Sequence, residues 1–229
     1  MTTTGWLATG LDLLLPAVCP LCLSEPGTDL CADCRSDLEA AEDPCPWCAA
    51  PNGAVDCPSC RHRGFAHIGA TRCAWLYSGA CRRLITRAKA EARPAAVRAC
   101  ADLMPVPATA HDPRCVVVAV PPAPGRRPGP HLGSALAAAY ARRNGLRRVA
   151  ALTVTRLADE QHRLGLSERR ANVADLFVCR GPAPERVILI DDLITTGATA
   201  AAAAAALQAA GCRRIELVAL ARTPRARAP

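Results

Sequence analysis

The apolar positions of this chain fall into short blocks, and from about residue 66 onward those blocks read alternately as strand and helix. Residues 115–120, CVVVAV, are continuous and apolar, as expected of a strand buried on both faces of a parallel sheet. Residues 187–190 (VILI) have the same character, and 215–221, 70–77 and 148–154 fit further strands. Between them lie helical stretches. One covers 80–104 with a weak point at Pro94, another covers 132–143 with Gly145 as its stop, and an alanine-rich one runs to Ala210 with Gly211 as its cap. Residues 160–177 are polar and charged and predict an excursion from the core, and 222–229 predict a basic, frayed tail. Alternating strands and helices predict an α/β fold: a mostly parallel sheet flanked by helices, with right-handed crossovers.

The first 65 residues follow neither period. They hold eight cysteines in four C-x-x-C pairs: Cys19/Cys22, Cys31/Cys34, Cys45/Cys48 and Cys57/Cys60. The paired cysteines stop before Phe65, so the reading divides the chain into a small Cys-rich module, 1–65, and an α/β domain, 66–229. A C-x-x-C turn supplies two thiolates, and two such turns complete a tetrahedral zinc site. Eight residues separate the first pair from the second and the third from the fourth. The simplest assignment is two four-cysteine sites, adjacent pair with adjacent pair, forming a double zinc ribbon with about two structural Zn²⁺ ions. Sequence alone leaves an interleaved pairing open, and an iron–sulfur cluster or a redox dithiol stands as the chemical alternative. His62, just past Cys60, is a spare ligand type, but eight thiolates already close two sites. The module has few large apolar residues, so metal is expected to be what folds it.

Composition changes the picture in three ways. Hydrophobic content is 51%, enough for a packed core, but aromatics are only 3%, so the core must be built from small and branched aliphatic side chains. The formal charge is +8 and is carried almost entirely by arginine; Lys89 is the only lysine. A positive field favours polyanions such as nucleic acid or pyrophosphates, although arginine enrichment also follows from a GC-rich coding bias. No secretory leader is evident: residues 11–18 are apolar but short, contain Asp12 and Pro16, and lack a basic start. No run approaches the roughly 20 apolar residues of a membrane span. The expectation is a cytoplasmic protein, where fourteen cysteines serve as metal ligands and buried thiols, not disulfides.

The densest chemistry follows the strand at 187–190. Asp191 and Asp192 arrive at its carboxyl end, where ligands bind in open α/β sheets, and two adjacent carboxylates there suit the hydroxyl pair of a ribose. Thr195, Thr196, Gly197, Ala198 and Thr199 then open a helix. Hydroxyls, backbone N–H groups and a helix N-terminus cradle a phosphate, and glycine lets the backbone approach it. Diol and phosphate recognition side by side describe a ribose 5-phosphate site.

The spacing D-D-x-x-x-T-G-x-T after a strand resembles the phosphoribosyl pyrophosphate (PRPP) motif of type I phosphoribosyltransferases. Joined to four amino-terminal cysteine knuckles, it resembles the layout of the ComF family, competence-associated phosphoribosyltransferase-like proteins. Gln161-His162-Arg163-Leu164, Glu168-Arg169, Asn172 and Phe177 are similar to that family's Q-x-x-L…E-R…N…F region, and VALARTP at 218–224 is similar to its ending. The resemblance implies a type I phosphoribosyltransferase-like domain in which Asp191 and Asp192 contact ribose and Thr195, Thr196, Gly197 and Thr199 hold the 5-phosphate. It implies a pyrophosphate loop at 121–127, including Pro121, Pro122, Arg126 and Arg127. It also implies a hood formed by Gln161, Glu168, Arg169 and Asn172, with Arg156 at its entry. Lys89 matches a lysine in the family's early helix. The chain departs from the family where a basic R-G-[FY]-[ND]-like stretch is usual: here Arg126-Arg127-Pro128-Gly129-Pro130-His131 lacks the aromatic and its polar neighbour, which bears on pyrophosphate handling.

Two functions follow as expectations. One is transfer of a phosphoribosyl group from PRPP, bound with Mg²⁺, to an unnamed acceptor. The other is a non-catalytic single-stranded DNA-binding role in DNA uptake for competence, with competence-machinery proteins as partners. Type I relatives commonly dimerise, so a homodimer is also expected.

Overall fold

A computed structural model describes residues 18–24, 26–27, 29–91, 94–122, 131–155 and 176–224. Its elements, in chain order, are α1 (Ala32–Ser36), β1 (Ala70–Leu76), α2 (Gly79–Glu91), α3 (Pro94–Asp102), a 3-10 turn (Ala108–His111), β2 (Cys115–Ala119), α4 (Leu132–Arg143), β3 (Arg147–Arg148), β4 (Leu152–Val154), β5 (Phe177–Cys179), β6 (Arg186–Ile194), α5 (Ala198–Ala209) and β7 (Arg214–Arg222). Five strands form one sheet in the order β1-β7-β6-β2-β3, and every pairing in it is parallel. The α/β expectation therefore holds: a parallel sheet flanked by helices, preceded by a Cys-rich region.

Sheet residues alternate between two cores, as a period of two requires. Val117, Ile188, Ile190, Val218 and Leu220 face the layer made by α2, α3 and α4. Val116, Val118, Val187, Leu189, Leu217 and Ala219 face the layer made by α5 and the small β4–β5 pair. Each buried Leu, Ile or Val contributes about 1.5–3 kcal/mol by leaving water, so two aliphatic cores compensate for the scarcity of aromatics. Tyr140 is the largest side chain fully inside, and its hydroxyl donates to the Pro105 carbonyl at 3.0 Å.

Three elements differ from the pattern read in the sequence. The helix at 80–104 is two helices, with Pro94 as the first residue of α3, where its missing N–H leaves no intrahelical bond unmade. The strand at 148–154 splits: Arg147–Arg148 stays on β2, while Leu152–Val154 leaves to pair antiparallel with β5. The strand at 187–190 does not turn at Asp191. β7 continues beside it and pairs Asp191 with Ala219 and Ile194 with Arg222, so β6 runs on to Ile194. Because β2 ends opposite Ile190, the two aspartates project past the end of one neighbouring strand.

The Cys-rich region lies along the outer edge of β1. Ala41 N–H donates to the Ala74 carbonyl at 2.9 Å, Leu76 N–H to Glu39 at 2.9 Å, and Thr71 N–H to Pro46 at 2.8 Å. The buried Thr71 hydroxyl adds a bond to the Trp47 carbonyl at 2.8 Å. A parallel sheet edge that would otherwise expose unpaired backbone groups is thereby covered.

Candidate functional site

The cysteines gather into two groups, Cys19/Cys22/Cys31/Cys34 and Cys45/Cys48/Cys57/Cys60, and within each group the four sulfurs lie within 4.8 Å of one another. Adjacent pairs go together, and the interleaved assignment is excluded. A single ion bound by four thiolates at about 2.3 Å sets them about 3.8 Å apart at tetrahedral corners. The observed separations are 3.9 Å for Cys22–Cys31, 3.7 Å for Cys45–Cys60, 3.6 Å for Cys48–Cys57 and 3.7 Å for Cys57–Cys60. Each group can therefore hold one zinc ion. A multi-iron cluster would spread its cysteines farther than a single-ion cage allows.

The titration of these thiols points the same way. Burial opposes ionisation of Cys19, but the N–H groups of Cys31, Cys22 and Leu21 outweigh it and bring the thiol down to about 6. Burial likewise opposes ionisation of Cys57, and the N–H groups of Cys60 and Ser59 bring it down to about 7. Cys34 and Cys48 are pushed far up, by burial first and by neighbouring cysteines second. One thiol of each group is poised to ionise, and Cys34 and Cys48 need a cation beside them before they follow. His62 stays outside the second group: its Nε2 lies 2.9 Å from the Val55 carbonyl, and its ring meets Trp47 edge-on at 4.9 Å. Among the described residues, these two groups are the sites where three or more metal-ligating side chains meet.

The carboxylates and threonines sit at the carboxyl end of β6 and the turn after it. Asp192 is buried at 7% exposure, and the ammonium of Lys89 pairs with its Oδ2. The one lysine of the chain is thus delivered by α2 to this carboxylate. Asp192 N–H donates to Asp191 Oδ1 at 2.9 Å. Burial is the main force on Asp191, followed by the charge and carboxyl of Asp192. Against the Asp192 N–H and Lys89, they push the Asp191 carboxyl up to about 8. Asp191 thus holds its proton more firmly than an ordinary carboxyl, beside the ion pair of Lys89 and Asp192. A neutral acid donates and a carboxylate accepts, which is what a pair of neighbouring hydroxyls requires.

The next turn leads directly into α5. Gly197 precedes the helix with φ +80, and Ala198 N–H donates to Thr196 Oγ1 at 3.3 Å. Thr195, Thr196 and Ala198 are exposed, and Thr199 is half-buried. The base of the turn is pinned by Thr223, whose N–H reaches the Ile194 carbonyl at 3.0 Å. Three threonines thus lie within five residues of chain at the positive end of a twelve-residue helix.

Sequence reasoning missed one member of this neighbourhood. The Phe65 ring lies on Gly197, so close that a Cβ there would fall 2.2 Å from Phe65 Cε1. The Arg222 guanidinium stands 5.7 Å from the centre of the same ring. The available signal was slight: Phe65 is one of two phenylalanines and follows the last cysteine pair by five residues.

Pro121 and Pro122 follow β2 as expected and line a cavity of about 250 Å³ with Ser134, Arg148 and Thr153. Arg126, Arg127, Arg156, Gln161, Glu168, Arg169 and Asn172 lie outside the described residues. No helix among the described residues is long and apolar enough to cross a membrane. No family model matches the chain, and no curated protein matches it.

Proposed function

We propose that this chain is a ComF-like protein of the phosphoribosyltransferase type, which binds PRPP or ribose 5-phosphate at the carboxyl end of β6. One observation carries the reading: a lysine-neutralised aspartate pair stands immediately before a threonine-rich turn at a helix N-terminus. Asp191 and Asp192 take the ribose 2′ and 3′ hydroxyls. The hydroxyls of Thr195, Thr196 and Thr199, with the amides at the start of α5, take the 5-phosphate. Lys89 keeps the carboxyl pair from repelling the anionic ligand.

The pyrophosphate of PRPP extends toward the chain after β2, where Pro121 and Pro122 stand. Bound with that pyrophosphate, Mg²⁺ would supply charge neutralisation on its oxygens. In transfer, the bond from C1 to pyrophosphate breaks, the electron pair leaves with pyrophosphate, and positive charge develops on the ribose beside the carboxyl pair. An acceptor nucleophile then bonds to C1 and loses its proton. Asp191 and Asp192 hold the ring and face the developing charge; the chain's zinc groups take no part in bond making.

Two measurements test the reading in turn. Isothermal titration with PRPP and Mg²⁺ should show saturable one-site binding. Pyrophosphate release across a panel of bases should identify an acceptor; silence with every base leaves a binding protein, not a transferase. The single-stranded DNA reading rests on net charge, and DNA affinity that falls steeply with salt would support it.

A further inference from the structure

Phe65 brings the Cys-rich region onto the threonine turn from the side of the second cysteine group, whose Ala49 also enters the core beneath α5. Phe65 packs against the small core of Cys45, Cys48, Ala50 and Cys57, and also against the core beneath α5. Gly64 brings the chain there: its φ is +68, and a Cβ at this position would lie 3.1 Å from Trp47 Cβ and 3.2 Å from the Trp47 carbonyl. Trp47 lies between the ligands Cys45 and Cys48, so the chain leaving the second group folds back over the turn that carries two of its thiolates. The Phe65 carbonyl then accepts from Ile68 N–H at 3.2 Å, which closes the turn before β1.

On its far side the ring rests on Gly197, the left-handed residue that starts α5. Only a glycine fits beneath it, because φ +80 and a 2.2 Å approach both exclude a side chain. Cys19, Leu21, Leu30, Cys34 and Leu38, from the first group and the residues around it, pack instead into the opposite core with α2, α3 and α4.

We infer that Phe65 is a positioning residue for the threonine turn, and that metal in the Cys45/Cys48/Cys57/Cys60 group, but not in the other, sets the affinity of that turn for a phosphate ligand. The ring fixes the Gly197 peptide, and Gly197 fixes where the amides of α5 begin. Four thiolates on one ion hold the 45–60 segment, and that segment holds Phe65. Loss of the ion frees the ring and lets the turn sample other conformations, so the donors no longer converge. The ligand half of this inference rests on the proposed function; the coupling of metal to turn does not.

Hydrogen exchange of the full chain, read by mass spectrometry, tests the coupling without any ligand. Phe65→Ala keeps all eight cysteines, and metal analysis should still give about two zincs per chain. The expected result is roughly tenfold faster exchange of the amides at 195–200, with those of β6 and β7 unchanged. Cys57→Ser/Cys60→Ser should accelerate the same amides, and Cys31→Ser/Cys34→Ser should not. Unchanged exchange at 195–200 in Phe65→Ala overturns the inference, as does equal acceleration from both cysteine groups. In titration with PRPP and Mg²⁺, Phe65→Ala should weaken binding about tenfold, or about 1.4 kcal/mol. A wild-type chain that binds no PRPP refutes the proposed function and leaves the exchange result standing on its own.

Discussion

The two cysteine groups are near-copies in sequence and differ in what they touch. Each has two C-x-x-C pairs separated by eight residues, and each closes into a cage the size of one ion. The first has an exposed Cys22 and a half-buried Cys31, and contributes Cys19 and Cys34 to the core shared with α2, α3 and α4. The second has Cys45, Cys48 and Cys57 fully buried in a core of their own and reaches the threonine turn through Phe65. A metal-ligand spacing therefore says how a site is built and leaves open what the site holds in place. That second fact is decided by the few side chains just outside the motif.

The comparison breaks most visibly in stability. Cys48→Ser, which puts a hydroxyl into a fully buried cage, should release one zinc and cost several kcal/mol, since a structural zinc site supplies about 10 kcal/mol of apparent folding energy. Cys22→Ser, on the exposed side of the first group, should cost less. Metal content and chemical denaturation of the two variants check the order, and an equal loss would erase the distinction drawn between the groups.

Gly197→Ala comes next. It places a Cβ in the left-handed region and against the Phe65 ring, with about 1–2 kcal/mol from the backbone alone. In Phe65→Ala/Gly197→Ala the clash disappears, so the two changes should be less than additive by at least about 0.5 kcal/mol. Strict additivity in a denaturation cycle would mean that ring and glycine do not meet.

The helix side of the sheet makes a separate claim on the same site, through Lys89. Lys89→Met should leave the Asp192 carboxylate buried without its cation, at a cost of about 1–2 kcal/mol given that the lysine side chain is 30% exposed. PRPP affinity should fall with it, and Lys89→Arg should recover part of that affinity. A Met variant as stable as wild type would show the pair to be incidental.

The last prediction concerns pH. The folded Asp191 carboxyl is raised from 3.8 to about 8, so the folded chain keeps a proton that the unfolded chain has lost. Stability from this group therefore declines as pH rises from about 4 toward 8 and is level above that. Asp191→Asn has no proton to lose, so its thermal midpoint should rise above that of wild type as pH goes from 4 to 9. A constant difference across that range would contradict the raised carboxyl.

Most of the sheet was readable because parallel strands buried on both faces are written as unbroken aliphatic runs, as in residues 115–120 and 187–190. The readings failed where a neighbour decided the outcome. β6 runs through its aspartates because β7 pairs alongside, and the strand at 148–154 breaks because Leu152–Val154 takes β5 as its partner. The aspartate pair, the threonine turn and the four-cysteine groups were legible as local spacings. Lys89 stood out as the one lysine among arginines and as a match to a family lysine, but nothing in the sequence paired it with Asp192. Phe65 on Gly197 was illegible, since 132 positions separate the two and neither pattern points at the other.

The site at the end of β6 carries the proposed function. Titration of the wild-type chain and of Asp191→Asn/Asp192→Asn with PRPP and Mg²⁺, in the same buffer, tests it directly. One saturable site in the wild type and at least about a hundredfold weaker binding in the double variant is the predicted result, a difference of about 2.8 kcal/mol. Absence of binding in the wild type, or equal affinity in the two proteins, would contradict the ribose-phosphate assignment.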